Sequence, residues 1–188
     1  QHHPGDRHGP VSKTRPPPVS PITTTERLCL REMTTADAEH AYLLNSDPEV
    51  VRHTGDGPFA SPEAARTFLA AYPDYRIHGF GRWAVVRSTD EAWLGWCGLK
   101  RHPNGDVDLG YRLMRRYWGQ GYATEAGRAC LDLGFDRFGL DLIIGRVARE
   151  NTASIRVLEK LGMRYWKTDV CEHDPEALIY RIDHTIHC

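Results

Sequence analysis

The sequence predicts a single α/β domain, built from one mixed sheet of six or seven strands and about four helices. A chain of 188 residues, of which 40% are hydrophobic and 26% are charged, is long enough for one well-buried core and short for two. Segments with the period-two alternation of strands lie between segments with helical spacing, so both kinds of element are expected.

The first 21 residues are predicted to form a flexible tail outside this domain. The first twenty hold five prolines and three histidines but few apolar side chains. Such a segment cannot bury enough surface to offset the entropy of ordering. The folded domain is therefore predicted to span residues 22–188.

The front of the domain contains one predicted strand and two predicted helices. Charged and apolar side chains alternate over residues 27–31, which predicts a half-buried strand. Thr35 is expected to cap a helix that ends before Pro48. A serine cap followed by proline at the first helical position predicts a second helix over residues 61–75.

The middle of the chain predicts a meander and then a strand-helix unit. Three β-rich runs at residues 82–86, 93–99 and 107–111 are joined by polar turns, which is typical of a three-stranded antiparallel meander. Helical spacing returns over residues 121–138. The nearly all-apolar run at 142–147 predicts a strand buried on both faces.

The C-terminal part continues the alternation. Residues 151–161 have helical spacing, and Gly162 follows as a helix stop. Residues 163–169 and 177–182 are expected to form the closing strands.

Charge and cysteine content exclude several function classes. The 24 basic and 25 acidic residues give a formal net charge of -1, so no global positive field would gather nucleic acid or anionic lipid. No apolar run reaches the roughly 18 residues needed to span a bilayer. The five scattered cysteines have no CxxC spacing, which argues against a zinc site and fits a reducing cytosol. A cytoplasmic protein without metal, nucleic-acid or membrane partner is expected.

The segment from Tyr117 to Ala126 carries the strongest functional signal. Gly119 and Gly121 lie two apart between a predicted strand and a predicted helix, where backbone N–H groups and the helix dipole favour an anion such as a pyrophosphate. A tight turn without ligand is the competing interpretation. Thr124 stands where a dinucleotide fingerprint has its third glycine, and no Gly-Lys-Ser/Thr follows, so both nucleotide motifs are excluded.

This segment resembles the pyrophosphate loop of the GNAT superfamily of N-acetyltransferases, in particular its RimJ/RimL-like branch. Its sequence is Tyr-Trp-Gly-Gln-Gly-Tyr-Ala-Thr-Glu-Ala. Further matches lie, in the family's order, at residues 25–31, 46–50, 109–111 and 151–162. The resemblance covers residues 24–183 and implies the GNAT fold, a curved mixed sheet whose two central strands part to form an acyl-CoA cleft. Trp118 departs from the usual Gln or Arg and is expected to pack in the core.

The resemblance implies acetyl-CoA as co-substrate and no metal. Gln120 is expected to act through its backbone with its side chain outward, and backbone groups near Leu113 are expected to stay unpaired and to bond pantetheine. For Asn151, helix capping is the competing role. The implied coenzyme A contacts are Leu113, Gly119, Gln120, Gly121, Tyr122, Ala123, Thr124, Asn151 and Ser154.

Two residues are predicted to take part in catalysis. Many family members have a tyrosine acid four residues after the Ser154 position, but this chain has Leu158 there. The resemblance to the RimJ/RimL-like branch implies Ser154 as the partner of the leaving thiolate. Asp108 is the leading candidate for the base that deprotonates the amine, and a solvated or substrate-positioning carboxylate is its alternative. Tyr111 is a lesser candidate and is expected to be structural.

The implied reaction is direct transfer of an acetyl group to a primary amine, either a protein N-terminal α-amine or a small molecule. Two alternatives stay open: a non-catalytic acyl-CoA-binding module, and transfer of another acyl group such as succinyl. A monomer or homodimer is expected.

Overall fold

The structure of the protein, a computed structural model, describes residues 19–171 and 174–187. The predicted tail lies outside the described residues, apart from its last three positions. Pro21 already belongs to the first strand.

One sheet of eight strands forms the centre of the fold, in the order β1-β2-β3-β4-β5-β6-β8-β7. The strands are β1 Pro21–Thr24, β2 Leu28–Glu32, β3 Arg82–Arg87, β4 Trp93–Arg101, β5 Val107–Leu113, β6 Leu142–Ala148, β7 Arg164–Cys171 and β8 Asp174–Asp183. The prediction of six or seven strands was too low because no strand was predicted before residue 27, and β1 begins at the last residue of the predicted tail. A strand that begins with proline is compatible with the sheet edge, where β1 lies.

The sheet is mixed, and it opens between its two central strands. Strands β3, β4 and β5 pair antiparallel, which confirms the predicted meander. Strand β6 runs parallel to β5, and the one pairing between the two is Asp108 with Ile144, near the start of both strands. The strands therefore part toward their C-terminal ends, as the resemblance implied.

The helices differ in detail from the prediction. The helices are α1 Ala38–Ser46, α2 Pro48–Val51, α3 Pro62–Ala70, α4 Asp74–His78, α5 Tyr122–Asp132, α6 Thr152–Lys160 and α7 His184–His187. In the described part of the chain, five of them have at least five residues, against about four expected. None of the described helices has both the length and the apolar character to cross a bilayer.

Two helix boundaries predicted from the sequence were wrong. The front helical segment is capped by Thr34 rather than Thr35, through a capping box with Asp37. The helix expected over residues 61–75 ends at Ala70, and a separate helix begins after Pro73. Proline has no N–H to continue a helix and disfavours helical geometry in the residue before it, so the break falls there.

Helix α5 packs against the sheet and sets the position of the loop before it. Its side chains Ala126, Cys130 and Leu131 are fully buried. A Cβ on Gly127 would lie 2.8 Å from a methyl carbon of Leu161, so α5 packs closely against the C-terminal end of α6. The N-terminus of α5 is thereby fixed at the end of the sheet where β5 and β6 have parted.

Candidate active site

The loop before α5 has the geometry of an anion cradle. Gly119 and Gly121 both adopt left-handed backbone conformations, with φ of 71° and 82°. Gly121 is the N-cap of α5 and supplies no side-chain cap. The first N–H groups of the helix, those of Tyr122, Ala123 and Thr124, have no carbonyl partner within the helix. They remain to bond an anion at the positive end of the helix dipole.

Strand β2 and the residues just before it fix this loop. Arg27 forms an ion pair with Glu125, with Nε 2.7 Å from Oε1, and donates to the Gln120 carbonyl at 3.0 Å. The Thr25 hydroxyl donates to the same carboxylate, and the Arg27 guanidinium lies 4.3 Å from the centre of the Tyr122 ring. The loop is therefore tied to the sheet by a charged network.

Glu125 would repel an anion if it were free. Burial alone would raise its pKa, but hydrogen bonds from Thr25 and Arg27 outweigh burial and lower it. The carboxylate is thus ionised and neutralised by Arg27. Sequence reasoning did not assign a role to these residues, although the Thr-Glu-Arg-Leu match at 25–28 was a signal for them.

Two side chains of the loop point away from the cradle. The exposed Gln120 donates to the Arg116 carbonyl, so its side chain is outward as predicted. Trp118 is 45% exposed, and the expectation of core packing was wrong. Its indole N–H donates to the Leu113 carbonyl at 2.9 Å. That carbonyl is therefore bonded rather than unpaired, and a pantetheine amide would have to share it or displace the indole.

A cleft of about 1240 Å³ lies beside the parted strands and brings Asp108, Asn151 and Ser154 together. The cradle residues lie outside its lining. Gly121 and Thr124 instead border a depression of about 650 Å³ along α5. The predicted site residues thus fall into two groups, one at the helix N-terminus and one in the cleft.

Ser154 is positioned by two neighbours. The Asn151 side chain accepts a hydrogen bond from the Ser154 N–H at 3.2 Å, which confirms the N-cap role of Asn151. The Tyr111 hydroxyl donates to Ser154 Oγ at 2.9 Å. Burial raises the pKa of Tyr111 to about 12, so this hydroxyl stays protonated. Because Oγ accepts from Tyr111, the Ser154 proton is free to point elsewhere in the cleft.

Tyr111 is the contact that sequence reasoning missed. The position four residues after Ser154 is the buried Leu158, which has no hydroxyl. A tyrosine hydroxyl nevertheless reaches Ser154, from β5 rather than from α6. The Leu-Gly-Tyr match on β5 was the signal that could have indicated it.

Asp108 is buried, and the solvated-face interpretation was wrong. Its side chain is 8% exposed, with Oδ1 2.8 Å from an Arg82 guanidinium nitrogen and Oδ2 2.8 Å from His102 Nε2. Burial alone would raise the pKa of Asp108, but Arg82 and His102 outweigh burial and lower it. Arg82 reaches this position because it lies across Gly110, where a Cβ would come within 2.7 Å of the guanidinium.

A row of ion pairs continues from Asp108 along the cleft. Trp96 lies between two guanidinium groups, those of Arg82 and Arg112, each 5.2 Å from its ring centre. Arg112 bonds Asn45 at 2.9 Å and Asp56 at 2.7 Å. Two aspartates of the cleft, Asp56 and Asp108, are thus paired with arginines.

Metal ligation has no candidate among the residues described: no three or more His, Cys, Asp or Glu side chains group closely enough to hold an ion.

Comparison with known proteins decides the family. Residues 27–164 match the family model described as acetyltransferase (GNAT) domain. The chain belongs to this family. An uncharacterized N-acetyltransferase p20 from Bacillus licheniformis is 37% identical over 144 residues, which cover 74% of this chain and 80% of the relative. An FsC-acetyl coenzyme A-N(2)-transacetylase from Aspergillus fumigatus is 30% identical over 168 residues, covering 83% and 70%.

Solved structures agree with the GNAT fold. A GNAT-family acetyltransferase from Bacillus anthracis superposes with a TM-score of 0.73 at 26% identity, over 89% of this chain and 98% of that one. The GNAT chain described here is therefore an acetyltransferase enzyme, which replaces the alternative of a non-catalytic module.

Proposed function

We propose that the protein transfers an acetyl group from acetyl-CoA to the primary amine of a protein N-terminus or a small molecule, by direct attack, as a RimJ/RimL-like cytoplasmic enzyme. The observation that carries the proposal is the left-handed Gly119 and Gly121 pair at an uncapped helix N-terminus, next to strands that part. The free Cys29, Cys97 and Cys130 fit the cytoplasmic location.

The loop is proposed to hold the pyrophosphate of coenzyme A. The backbone at Gly119, Gln120 and Gly121 turns the chain, and the N–H groups of Tyr122, Ala123 and Thr124 point at the anion. Acetyl-CoA supplies an activated acyl group on sulfur. Backbone at Leu113 and the free amide donors of Asn151 are proposed to position the arm that carries it, in the opening between β5 and β6.

Ser154 is proposed to stabilise the leaving sulfur. Its Oγ accepts from Tyr111, which leaves the Ser154 proton to donate to a developing thiolate. Tyr111 has a raised pKa and stays protonated, so it orients Ser154 and does not replace it as the donor. A hydrogen bond to a charged group contributes about 1.5–3 kcal/mol, and positioning of the amine supplies much of the remaining acceleration.

Asp108 is proposed to act at the amine end of the cleft. It is ionised beside the last pairing of β5 with β6, where the opening begins. Asp56 and Asp108 are both paired with arginines, and Asp74 and Glu150 also line the cleft, so a cationic amine is drawn to it. The acceptor is therefore proposed to be a protein N-terminus or a small-molecule amine.

Thiol release from acetyl-CoA, followed across a panel of peptides, monoamines and polyamines, tests the proposal. We expect release that depends on an acceptor amine, and slower release from succinyl-CoA. Gly121→Glu places a negative charge at the cradle and is expected to abolish coenzyme A binding while the protein stays folded. Tight coenzyme A binding without acceptor-dependent thiol release would contradict the proposed function.

A further inference from the structure

Among the titratable side chains that line the cleft, His102 has no role in the proposed mechanism although it is bonded to Asp108. It follows the last residue of β4, at the start of the turn that leads to β5. Its backbone N–H donates to the Asp106 carbonyl at 2.8 Å, and its ring Nε2 lies 2.8 Å from Asp108 Oδ2. Its side chain is 28% exposed and lines the cleft. His102 is thus held through its backbone N–H and its ring Nε2, and its imidazole is open to the cleft.

Asp108 is poorly suited to accept a proton itself. Its Oδ1 forms an ion pair with Arg82 without hydrogen-bond geometry, its Oδ2 is hydrogen-bonded to His102, and its pKa is lowered. A base with a low pKa removes a proton from an ammonium group inefficiently, because efficiency is greatest when the pKa lies near the working pH. Imidazole is the side chain that ordinarily meets this condition.

The hydrogen bond to Asp108 selects the tautomer of His102. Asp108 is ionised and can only accept, so Nε2 carries the proton and donates it to Oδ2. In the neutral ring, Nδ1 then holds a lone pair. No described residue is hydrogen-bonded to this nitrogen, so it is available to a molecule in the cleft.

We infer that His102, oriented by Asp108 and Arg82, is the general base that deprotonates the acceptor ammonium; the inference rests on the proposed acetyl transfer. Nδ1 takes a proton from the ammonium, and the neutral amine forms the C–N bond as the C–S bond breaks. The released thiolate takes the proton that the nitrogen loses on acylation. The imidazolium returns its proton to water through the open side of the cleft.

Charged groups from several elements line the same cleft and act on the imidazole. The carboxylate of Asp108 on β5 and the guanidinium of Arg82 on β3 lie beside it, on the strands to either side of β4. The other ionisable residues that line the cleft are Arg52, His53, Asp56, Tyr72, Asp74, Lys100, Tyr111, Arg112, Arg146 and Glu150.

The experiment is the pH profile of kcat/KM for thiol release, with His102→Gln and a matched control. We expect the wild type to lose activity with unit slope as the pH falls, because a single protonation inactivates the base. His102→Gln is expected to lower kcat/KM about 100-fold at neutral pH, to lack that limb, and to recover as the pH rises toward the pKa of the acceptor amine. Asp108→Asn is expected to lower kcat/KM about tenfold and to shift the pH at which activity is lost.

His78→Gln is the control. His78 is also half-buried, stacks on Phe80 and lies outside the cleft lining, so its profile should match the wild type. Unchanged coenzyme A affinity and melting temperature of His102→Gln would separate a chemical role from a folding defect.

Three results would overturn the inference. If the wild type is active and His102→Gln still loses activity in acid as the wild type does, His102 is not the general base, while the proposed acetyl transfer still holds. Nitrogen NMR that placed the ring proton of wild-type His102 on Nδ1 at neutral pH would do the same, independently of any variant. A wild type that releases no thiol with any acceptor would remove the proposed function together with the inference.

Discussion

Gly110→Ala should disrupt the acceptor end of the cleft although it replaces no ionisable residue. A Cβ at this position would lie 2.7, 2.8 and 2.9 Å from three atoms of the Arg82 guanidinium. These separations are shorter than real Cβ contacts, so the guanidinium must move. It is held there by a 2.8 Å ion pair with Asp108 and a 2.9 Å hydrogen bond to the Gly98 carbonyl.

The size of the effect follows from the burial of the pair. Complete loss of one partner of a buried ion pair costs about 3–5 kcal/mol. Arg82 is 16% exposed, and a flexible side chain keeps part of the contact after it shifts, so we expect about 2 kcal/mol. For a domain of this size that corresponds to a fall in melting temperature of roughly 4–8 °C.

Thermal and urea unfolding of Gly110→Ala at several pH values measures this loss. Asp108 has a lowered pKa in the folded protein, so its stabilisation is present above its unfolded pKa of about 3.9 and is lost as the pH falls through the folded value. The difference from wild type should therefore be largest at neutral pH and shrink in acid. Gly57→Ala, with open space around its Cβ, corrects for the effect of alanine on the unfolded chain. Equal stability of the two variants at neutral pH would refute the packing of Arg82 across Gly110.

Three further predictions concern the site and its loop. Ser154→Ala should lower kcat by about 10–100-fold with unchanged coenzyme A affinity, since it removes a donor to a charged leaving group; a proportional loss of affinity, measured by calorimetry, would assign Ser154 to binding instead. Gly121→Ala and Gly139→Ala both replace left-handed glycines; a Cβ on Gly121 would make an ordinary 3.4 Å contact with Arg27, and one on Gly139 would meet nothing within 4 Å. Each should cost about 1–2 kcal/mol of stability, while only Gly121→Ala weakens coenzyme A binding in the same titration. Glu125→Gln should cost about 1 kcal/mol or less at neutral pH, because Arg27 is 40% exposed, and the difference in unfolding free energy should vanish as the pH falls below the lowered pKa of Glu125; a difference that is constant with pH would argue against the ion pair.

Local patterns along the chain were enough to predict the meander and the cradle. Period-two alternation placed β3, β4 and β5, and glycine spacing before a helical segment placed Gly119 and Gly121. Both signals depend on neighbours within a few residues, which is the range that periodicity and backbone preference describe. The resemblance to the GNAT family then predicted that two central strands part, as β5 and β6 do.

Contacts between distant segments were the part that the sequence did not disclose. Asp108 lies on the same face as Asp106 and Gly110 by alternation, but its burial depends on Arg82, which reaches it from β3 across Gly110. The Tyr111 hydroxyl likewise meets Ser154, 43 residues further along the chain. Side-chain partners of this kind are fixed by register between strands and helices rather than by local propensity.

Trp118 and β1 illustrate two further reasons. An aromatic residue in a loop is not obliged to be buried when its N–H finds a carbonyl, and Trp118 donates to Leu113 while it stays half-exposed. Strand β1 begins at a proline that follows a proline-rich stretch, so composition favoured a tail where an edge strand forms.

Mass spectrometry of an amine acceptor incubated with acetyl-CoA and the enzyme, alongside a count of the thiol released, tests whether the acetyl group reaches the amine. We expect one N-acetylated acceptor for each free thiol, formed by wild type and abolished by Gly121→Glu although that variant stays folded. Thiol released without acetylated acceptor, or equal product from wild type and Gly121→Glu, would contradict it.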